Sequence, residues 1–182
     1  MKHWHEEMPF TLNDSLTEQI FTEKSLFFDI ETTGFSAART SLYLIGCAAR
    51  KKNLLIVDQF FAETPADESD VLHAFLDYLK NFDTIITFNG IGFDIPYLTN
   101  KCQKYKISAP FSSYEYVDIY KMISGFRFLF ALPDLKQKTV EQFIGLNRQD
   151  MYNGGELIKV YQEYQKNPDE KLISLLKQHN YE

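Results

Sequence analysis

Two carboxylates lie two residues apart inside an apolar run, Leu26–Phe35, which reads LFFDIETTGF. In an extended strand alternate side chains share a face, so Asp29 and Glu31 are expected to point the same way as Phe27. A buried carboxylate is costly unless it is paired, hydrogen-bonded or bound to a metal ion. This face of the strand is therefore predicted either to be open to water or to carry a cation.

A third carboxylate follows a second apolar stretch. The segment FNGIGFD ends at Asp94, between a predicted strand at Thr84–Phe88 and a predicted helix at Ile95–Tyr105. Ligands of α/β sheets bind at the carboxyl ends of the strands, where this residue would join the first two carboxylates. Two simpler interpretations remain open: Asp94 as a helix N-cap, and Asn89 with its neighbouring glycines as a turn that needs positive φ.

A histidine near the end of the chain, in LLKQHNYE, completes a set that suits phosphodiester hydrolysis. His179 alone would be interpreted as a surface residue of a terminal helix. Oxygen ligands such as those of the three carboxylates favour hard cations, Mg²⁺ or Mn²⁺, over zinc. Two such ions, about 4 Å apart, can clamp both the attacking and the leaving oxygen, and a nearby histidine can accept the proton of the attacking water.

The two carboxylate segments resemble motifs of the DnaQ-like (DEDD) 3′–5′ exonucleases of the ribonuclease H-like superfamily. FFDIETTGF is similar to the first motif and TFNGIGFDIPYL to the second, in a form closest to the YprB-type predicted exonucleases. The resemblance implies that Asp29, Glu31 and Asp94 are metal ligands and that His179 is catalytic with them. It also implies substrate contacts for a further set, namely Thr32, Thr33, Gly34, Phe35, Asn89 and Phe93.

The resemblance also concerns two further acidic positions, Asp118 and a fourth metal-binding Asp. Asp118, in YVDIYK, resembles a family Asp with a supporting role, although a strand-end or cap residue explains it equally well. The resemblance also implies a fourth metal-binding Asp after the histidine, but the sequence ends at Glu182, and Asp169 precedes His179. We expect the natural sequence to continue with Asp directly after Glu182; otherwise Glu182 must substitute or the site is incomplete.

The elements that must position these residues predict an α/β fold. Three strands, Ser25–Ile30, Ser41–Ala49 and Leu54–Phe61, precede strand–helix alternation, with the last two strands joined as a hairpin. This order predicts a ribonuclease H-like mixed β-sheet, a three-strand meander followed by strand–helix crossovers, flanked by helices and with a helical C-terminal part. Further helices are predicted to start at Ser15, within 67–82, over Leu132–Gly145 and Glu156–Lys166, and from Asp169 onwards, and a fifth strand leads into a helix near Asp118.

Composition places few limits on function. The 182 residues suit a single domain, 1–182, with about 1–22 as an N-terminal extension and a chain cut just after 182. A net charge of −6 neither indicates nor excludes nucleic acid, because a carboxylate-built metal site is itself acidic. Two cysteines at no metal-like spacing, Cys47 and Cys102, and the absence of a signal-like or membrane-length apolar run favour a cytoplasmic protein with no membrane contact.

The predicted function is a metal-dependent 3′–5′ exonuclease that hydrolyses single-stranded DNA or RNA from the 3′ end with two Mg²⁺ or Mn²⁺ ions and no small-molecule organic cofactor. Phe35 and Phe93 are candidates to stack on bases, which favours a single strand. Phosphate contacts are conceivable for a basic set that is more simply explained as solvated surface, Arg39, Lys121, Arg127, Lys136 and Lys138. One alternative is a catalytically incomplete nucleic-acid-binding domain; another, a phosphomonoesterase, fits less well because that chemistry uses Asp-x-Asp.

Overall fold

A six-stranded mixed β-sheet forms the centre of the molecule and carries helices on both faces. The computed structural model of the chain describes residues 1–12, 14–150 and 152–182. The strands are β1 Lys2–Pro9, β2 Ser25–Thr32, β3 Leu42–Lys51, β4 Leu54–Phe61, β5 Thr84–Thr87 and β6 Glu115–Asp118. The helices are α1 Ser15–Ile20, α2 Glu68–Leu79, α3 Asp94–Tyr105, α4 Ile119–Ser124, α5 Arg127–Phe130, α6 Gln137–Phe143, α7 Gly154–Lys166 and α8 Glu170–Tyr181.

The strand order, β1-β4-β3-β2-β5-β6, confirms the predicted fold class. Strands β2, β3 and β4 form the antiparallel meander, with Lys52 at φ 55° in the short turn between β3 and β4. After the crossover through α2, β5 pairs parallel with β2, and after the crossover through α3, β6 pairs parallel with β5. Parallel pairing brings the carboxyl ends of β2, β5 and β6 to one edge of the sheet, which is where the acidic motifs lie.

The N-terminal segment that the sequence suggested was an extension contains a strand of the sheet. Strand β1 pairs antiparallel with β4 along its whole length, from Lys2 opposite Phe61 to Pro9 opposite Leu54. Its alternating polar sequence, KHWHEEMP, has no apolar run to mark it as a strand. The aromatic partners come from β4 instead, since Trp4 lies 5.5 Å from Phe61 between ring centroids.

The period-two alternation of β2 directs its buried apolar side chains to one of the two cores of the molecule. Leu26, Phe28 and Ile30 pack with α2 and α3 on one face. On the other face a second core joins β3 and β4 to α7 and α8, through Tyr43, Leu44, Phe61, Leu157, Tyr161, Tyr164, Ile173 and Leu176. Asp29 and Glu31 are therefore directed towards the layer of the C-terminal helices, as the alternation predicts.

One detail of the helical prediction is wrong. The predicted helix Leu132–Gly145 begins only at Gln137, and a separate short helix, α5, precedes it. Ala131 has a left-handed backbone at φ 50°, and Pro133 cannot donate a helical hydrogen bond, so the helix cannot extend through this stretch. Helix α1 begins at Ser15, as predicted, and Asp14 caps it by accepting from the Thr17 N–H.

Candidate active site

The three carboxylates of the two motifs lie together at the edge where β2 ends and α3 begins. Asp94 is the first residue of α3, and its Oδ1 accepts a hydrogen bond from the backbone N–H of Ile30, at 3.1 Å. This bond joins the second motif directly to the backbone between Asp29 and Glu31. The alternative interpretation of Asp94 as an N-cap is wrong, because Phe93 occupies that position and the Asp94 side chain reaches across to β2.

Burial first, and mutual repulsion second, raise the pKa values of these carboxylates. Burial and the charge of Glu31 raise the pKa of Asp29 to about 7. Burial and the charge of Asp94 raise the pKa of Glu31 to about 7, and burial with the charge of Asp29 raises the pKa of Asp94 to about 8. Three close carboxylates held in this way are stabilised by a nearby cation.

The donor set suits a divalent metal ion by its chemistry. All three side chains offer carboxylate oxygens, which Mg²⁺ and Mn²⁺ prefer. Within residues 1–12, 14–150 and 152–182, no three acidic, histidine or cysteine side chains already converge in the geometry of a metal centre. The fit therefore rests on the charge and oxygen character of Asp29, Glu31 and Asp94, whose repulsion a cation would offset.

His179 lies beside these carboxylates and is held by an acid that sequence reasoning missed. Its Nε2 is 3.7 Å from Glu31 Oε1, and its Nδ1 is 2.5 Å from Asp150 Oδ2. An ionised carboxylate only accepts hydrogen bonds, so Nδ1 donates to Asp150 and Nε2 keeps its lone pair on the side of the carboxylates. Burial lowers the pKa of His179 more than Asp150 raises it, which favours the neutral ring.

Asp150 is itself firmly held. Burial would raise its pKa, but the Tyr152 N–H and the His179 ring outweigh burial and hold the pKa of Asp150 below its usual value. The Asp150 N–H donates to Glu182 Oε2 at 2.8 Å, which ties the loop before α7 to the end of α8. The Glu182 carboxylate is thus used in positioning Asp150; the expectation of a further Asp after it remains a prediction.

A buried arginine, also missed, supplies positive charge to the site. Arg148 makes a bidentate pair with Glu141, with its Nε at 2.5 Å from Oε2 and its Nη2 at 2.7 Å from Oε1. Its charge acts to lower the pKa of both Asp29 and Glu31. Arg148 and Asp150 both lie in the segment NRQD, which has the sequence of an ordinary polar loop. Their burial depends on tertiary packing, which no local sequence pattern indicates.

Helix α8 reaches the site because β3 has a glycine opposite Asp29. A Cβ on Gly46 would lie 2.0 Å from Asn180 Oδ1, so any side chain there would collide with α8. Gln59 on β4 secures the same turn of the helix by donating to Asn180 Oδ1 and to the Lys177 carbonyl. The position of His179 over the sheet therefore depends on a residue without a side chain.

The loop after β2 is held by its own hydroxyl groups. Thr32 and Thr40 both donate to the Gly34 carbonyl, and the Thr33 hydroxyl accepts from the Ser41 N–H. Phe35 at its tip is 93% exposed. Its ring meets Phe93 edge-on at 5.9 Å between centroids, and Phe93 in turn lies beside Tyr97. The first and second motifs thus meet at an aromatic pair next to the carboxylates.

Asp118 holds the loop of the second motif. Its carboxylate accepts from the backbone N–H groups of Asn89 and Ile91, and it also caps α4 through the Lys121 N–H. Asp118 therefore caps a helix and also supports the loop of the second motif. Asn89 has the expected positive φ, at 63°, whereas Gly90 does not; a Cβ on Gly90 would lie 2.6 Å from the Thr87 side chain.

A cavity of about 510 Å³ brings these groups together. Asp29, Glu31, Arg148 and His179 line it, at the meeting point of β2, α8 and the loop before α7. Asn89 lines a separate cavity, on the side of α4 and α6. The cavity therefore groups Asp29 and Glu31 with His179, while Asp94 is joined to them through its bond from the Ile30 N–H and Asn89 lies to one side.

Comparison with known proteins identifies the superfamily of the chain. Residues 26–182 match the model of the RNase H superfamily. The chain belongs to the RNase H superfamily. The predicted resemblance is confirmed at this level, and the superfamily fold accounts for the sheet order and for the helical C-terminal part.

Solved structures share the superfamily fold at low sequence identity. The family B DNA polymerase of Pyrobaculum calidifontis matches 86% of this chain and 22% of its own at 18% identity, with a TM-score of 0.67. A complex of E. coli ExoI with single-stranded DNA matches 85% of this chain and 43% of its own at 14% identity, with a TM-score of 0.52. Both likenesses concern the fold.

A curated relative shows a similar partial match. A DNA polymerase of Pyrococcus glycovorans is 34% identical over 96 residues, which are 48% of this chain and 12% of the polymerase. The chain spans less than half the length of each of these proteins. Superfamily membership supports a nuclease role and the use of divalent metal ions. None of the helices in the described part of the chain has the length and apolar character to cross a membrane.

Proposed function

We propose that this chain is a divalent-metal-dependent 3′–5′ exonuclease that acts on single-stranded DNA or RNA. The observation that carries the proposal is the meeting of the three carboxylates with His179 at one edge of the sheet, joined by the bond from Ile30 to Asp94. Superfamily membership supports it, as does the fold shared with ExoI, which is solved in complex with single-stranded DNA.

In this proposal Asp29, Glu31 and Asp94 hold Mg²⁺ or Mn²⁺. Bound divalent cations supply electrostatic stabilisation to the phosphodiester oxygens. His179 accepts the proton of the attacking water at Nε2, while Asp150 fixes the ring and stabilises its charged form. The new bond joins the water oxygen to phosphorus, and the bond from phosphorus to the 3′ oxygen of the preceding nucleotide breaks. That oxygen takes up a proton from solvent to become the new 3′-hydroxyl, and the terminal nucleoside 5′-monophosphate leaves.

The loop residues shape the place of the terminal nucleotide. Because the hydroxyl groups of Thr32 and Thr33 are used within the loop, they hold its form, and Gly34 offers its backbone. Phe35 and Phe93 supply rings on which a base can stack. The two cysteines are buried and unpaired, so we also propose the reducing cytoplasm as the location.

The test is a gel assay with 5′-labelled single-stranded DNA and RNA in Mn²⁺ or Mg²⁺. The chain should give a ladder of shortened products, and Asp29→Asn should lower the rate by a hundredfold or more, on the order of the loss when one electrostatic catalytic group is removed. Asp70→Asn on the exposed side of α2 is the matched control and should retain the activity.

A melting experiment reports on the metal site independently of turnover. Mn²⁺ should raise the melting temperature of the chain above its value in EDTA, and should do so much less in Asp29→Asn. Full activity of Asp29→Asn would refute the proposed site. Tight binding of oligonucleotides in EDTA, with no products under any condition, would favour the alternative, a nucleic-acid-binding domain without turnover.

A further inference from the structure

A groove lies beside the cavity of the proposed active site, on the side of α4 and α6. We call it the α4–α6 groove; its walls include Phe88, Asn89, Tyr120, Arg127, Lys136 and Gln137. We propose that it binds the nucleotides on the 5′ side of the terminal residue of a single-stranded nucleic acid. This proposal rests on the proposed exonuclease function, because it supposes that the 3′ end lies at the three carboxylates.

The α4–α6 groove adjoins the cavity of the carboxylates. It has a volume of about 610 Å³, and Gln137 lines both spaces. Asn89 lines the groove from the loop of the second motif, and Asp118 fixes that loop by accepting from the Asn89 N–H at 2.9 Å. A strand that leaves the carboxylates past this loop therefore enters the α4–α6 groove.

The charge of this part of the chain is opposite to that of the whole. Residues 119–149 contain five basic side chains and two acidic ones, a net charge of +3, whereas the whole chain has −6. Lys136 is exposed at the groove wall, and Arg127 is held there by donating to the Pro133 carbonyl at 2.9 Å. The Asp134 carboxylate in the same wall accepts from the Thr139 hydroxyl and the Lys136 N–H at Oδ1, and its Oδ2 lies 3.4 Å from Lys136 Nζ in an exposed ion pair. A phosphodiester backbone is the ligand that this charge complements.

Exposed aromatic rings accompany the positive charge. Phe126 is 54% exposed and Phe128 is 77% exposed. Phe128 lines a shallow depression next to the groove, and Arg127 lines both the depression and the groove. Inside the groove Phe88 and Tyr120 lie edge to face at 6.1 Å. An apolar patch alone would suit a protein partner equally well. Rings beside basic side chains, in a groove that adjoins the carboxylate cavity at Gln137, favour stacked bases with bound phosphates.

The experiment measures binding in EDTA, where no hydrolysis takes place. The probes are 5′-fluorescein oligothymidylates of about 4 and about 16 nucleotides, the range that single-strand-binding folds cover. The longer probe should bind the chain more tightly, and Phe128→Ala should weaken that binding about fivefold or more, the scale of removing one base stack. Leu16→Ala, at an exposed apolar position on α1, is its control.

Charge is tested separately. Arg127→Gln/Lys136→Gln should weaken binding of the longer probe and lower the slope of log affinity against log salt by about 0.7 for each phosphate of the single strand that is no longer neutralised. Lys159→Gln/Lys171→Gln, at exposed positions on α7 and α8, removes the same charge elsewhere and should leave the slope unchanged. Since all these positions are exposed, melting temperatures should match that of the parent chain.

The outcomes separate this proposal from the proposed function. Normal Asp29-dependent hydrolysis, with unchanged binding in Phe128→Ala and in Arg127→Gln/Lys136→Gln, would overturn the proposed role of the groove in binding nucleotides. It would leave the proposed exonuclease function supported. Groove-dependent binding without hydrolysis would support the groove and count against the exonuclease. Equal affinity for the two probe lengths would overturn the groove. A change of oligomeric state in Phe128→Ala with unaltered affinity would also overturn the proposal, because the exposed rings around Phe128 would then form a protein interface.

Discussion

At the scale of single residues, the chemistry of His179 is set by one carboxylate outside the recognised motifs. Asp150 accepts a hydrogen bond from Nδ1–H, which leaves Nε2 facing Glu31. Acids that orient a histidine in this way recur beside many catalytic and metal-binding imidazoles, because they select the tautomer and hold the ring. We therefore regard Asp150 as a positioning residue.

Asp150→Asn should lower kcat by about tenfold to a hundredfold with little change in KM, the scale of effect for an orienting partner. The amide keeps an acceptor for the Tyr152 N–H, so the loop before α7 should keep its form. The measurement is steady-state hydrolysis of a labelled oligonucleotide, with melting curves alongside. Unaltered kcat together with a lower melting temperature would show that Asp150 serves only to anchor the loop.

At the scale of elements, the site depends on how closely α8 approaches the sheet. Strand β3 presents Gly46 to this helix, and β4 adds the two bonds from Gln59. The sequence pattern of α8 predicts its helical state and its apolar stripe, which Ile173 and Leu176 bury. It does not predict which turn of the helix lies over Asp29.

Gly46→Ala should reduce activity by at least about tenfold, because its methyl group displaces Asn180 and with it the turn that carries His179. The clash is with the end of a flexible side chain, so Asn180→Ala in the Gly46→Ala background should restore part of the rate. Activity of the single and double variants, in the assay used for Asp150, measures this coupling. A double variant no faster than Gly46→Ala would contradict the proposed cause.

At the scale of the whole molecule, a buried charged network joins the motif loop to two helices. Glu68 at the start of α2 is 1% exposed and accepts from Lys101 at 2.6 Å and from the Leu42 N–H at 2.6 Å. Lys104 and Tyr105 bond its other oxygen, and Lys101 also donates to the Thr40 carbonyl at the end of the motif loop. One carboxylate thus ties α2, α3 and the loop after β2 together.

This network predicts a defined loss of stability in acid. Burial would raise the pKa of Glu68, but the bonds from Lys101, Lys104 and Tyr105 outweigh it, and the pKa is lowered. In the unfolded chain the pKa of Glu68 is about 4.3, and the stabilisation is complete above that pH. It is lost as the pH falls through the lower pKa that Glu68 has in the folded chain. Chemical denaturation between neutral pH and about pH 3 should show this fall.

Glu68→Gln should remove this acid-sensitive part and cost on the order of 3 kcal/mol at neutral pH, because Lys101 is left buried without its partner. Glu163→Gln, in an exposed pair with Lys166, is the control and should cost well under 1 kcal/mol. Equal stability of Glu68→Gln and the parent chain at neutral pH would contradict the importance of the network.

The sequence by itself determined the strands and helices that carry the two motifs, and the oxygen-donor character of their three carboxylates. The period-two alternation of β2 placed Asp29 and Glu31 on one face, and the strand–helix junction placed Asp94 at the same edge, since both depend on local geometry. Only the tertiary structure revealed that KHWHEEMP is a strand, because its partners Phe60 and Phe61 are distant in the chain. The same holds for Asp150, whose polar loop gains its meaning only when α8 brings His179 to it across 29 residues. Periodicity is encoded in neighbouring residues, whereas burial and pairing between distant segments arise only when the chain packs.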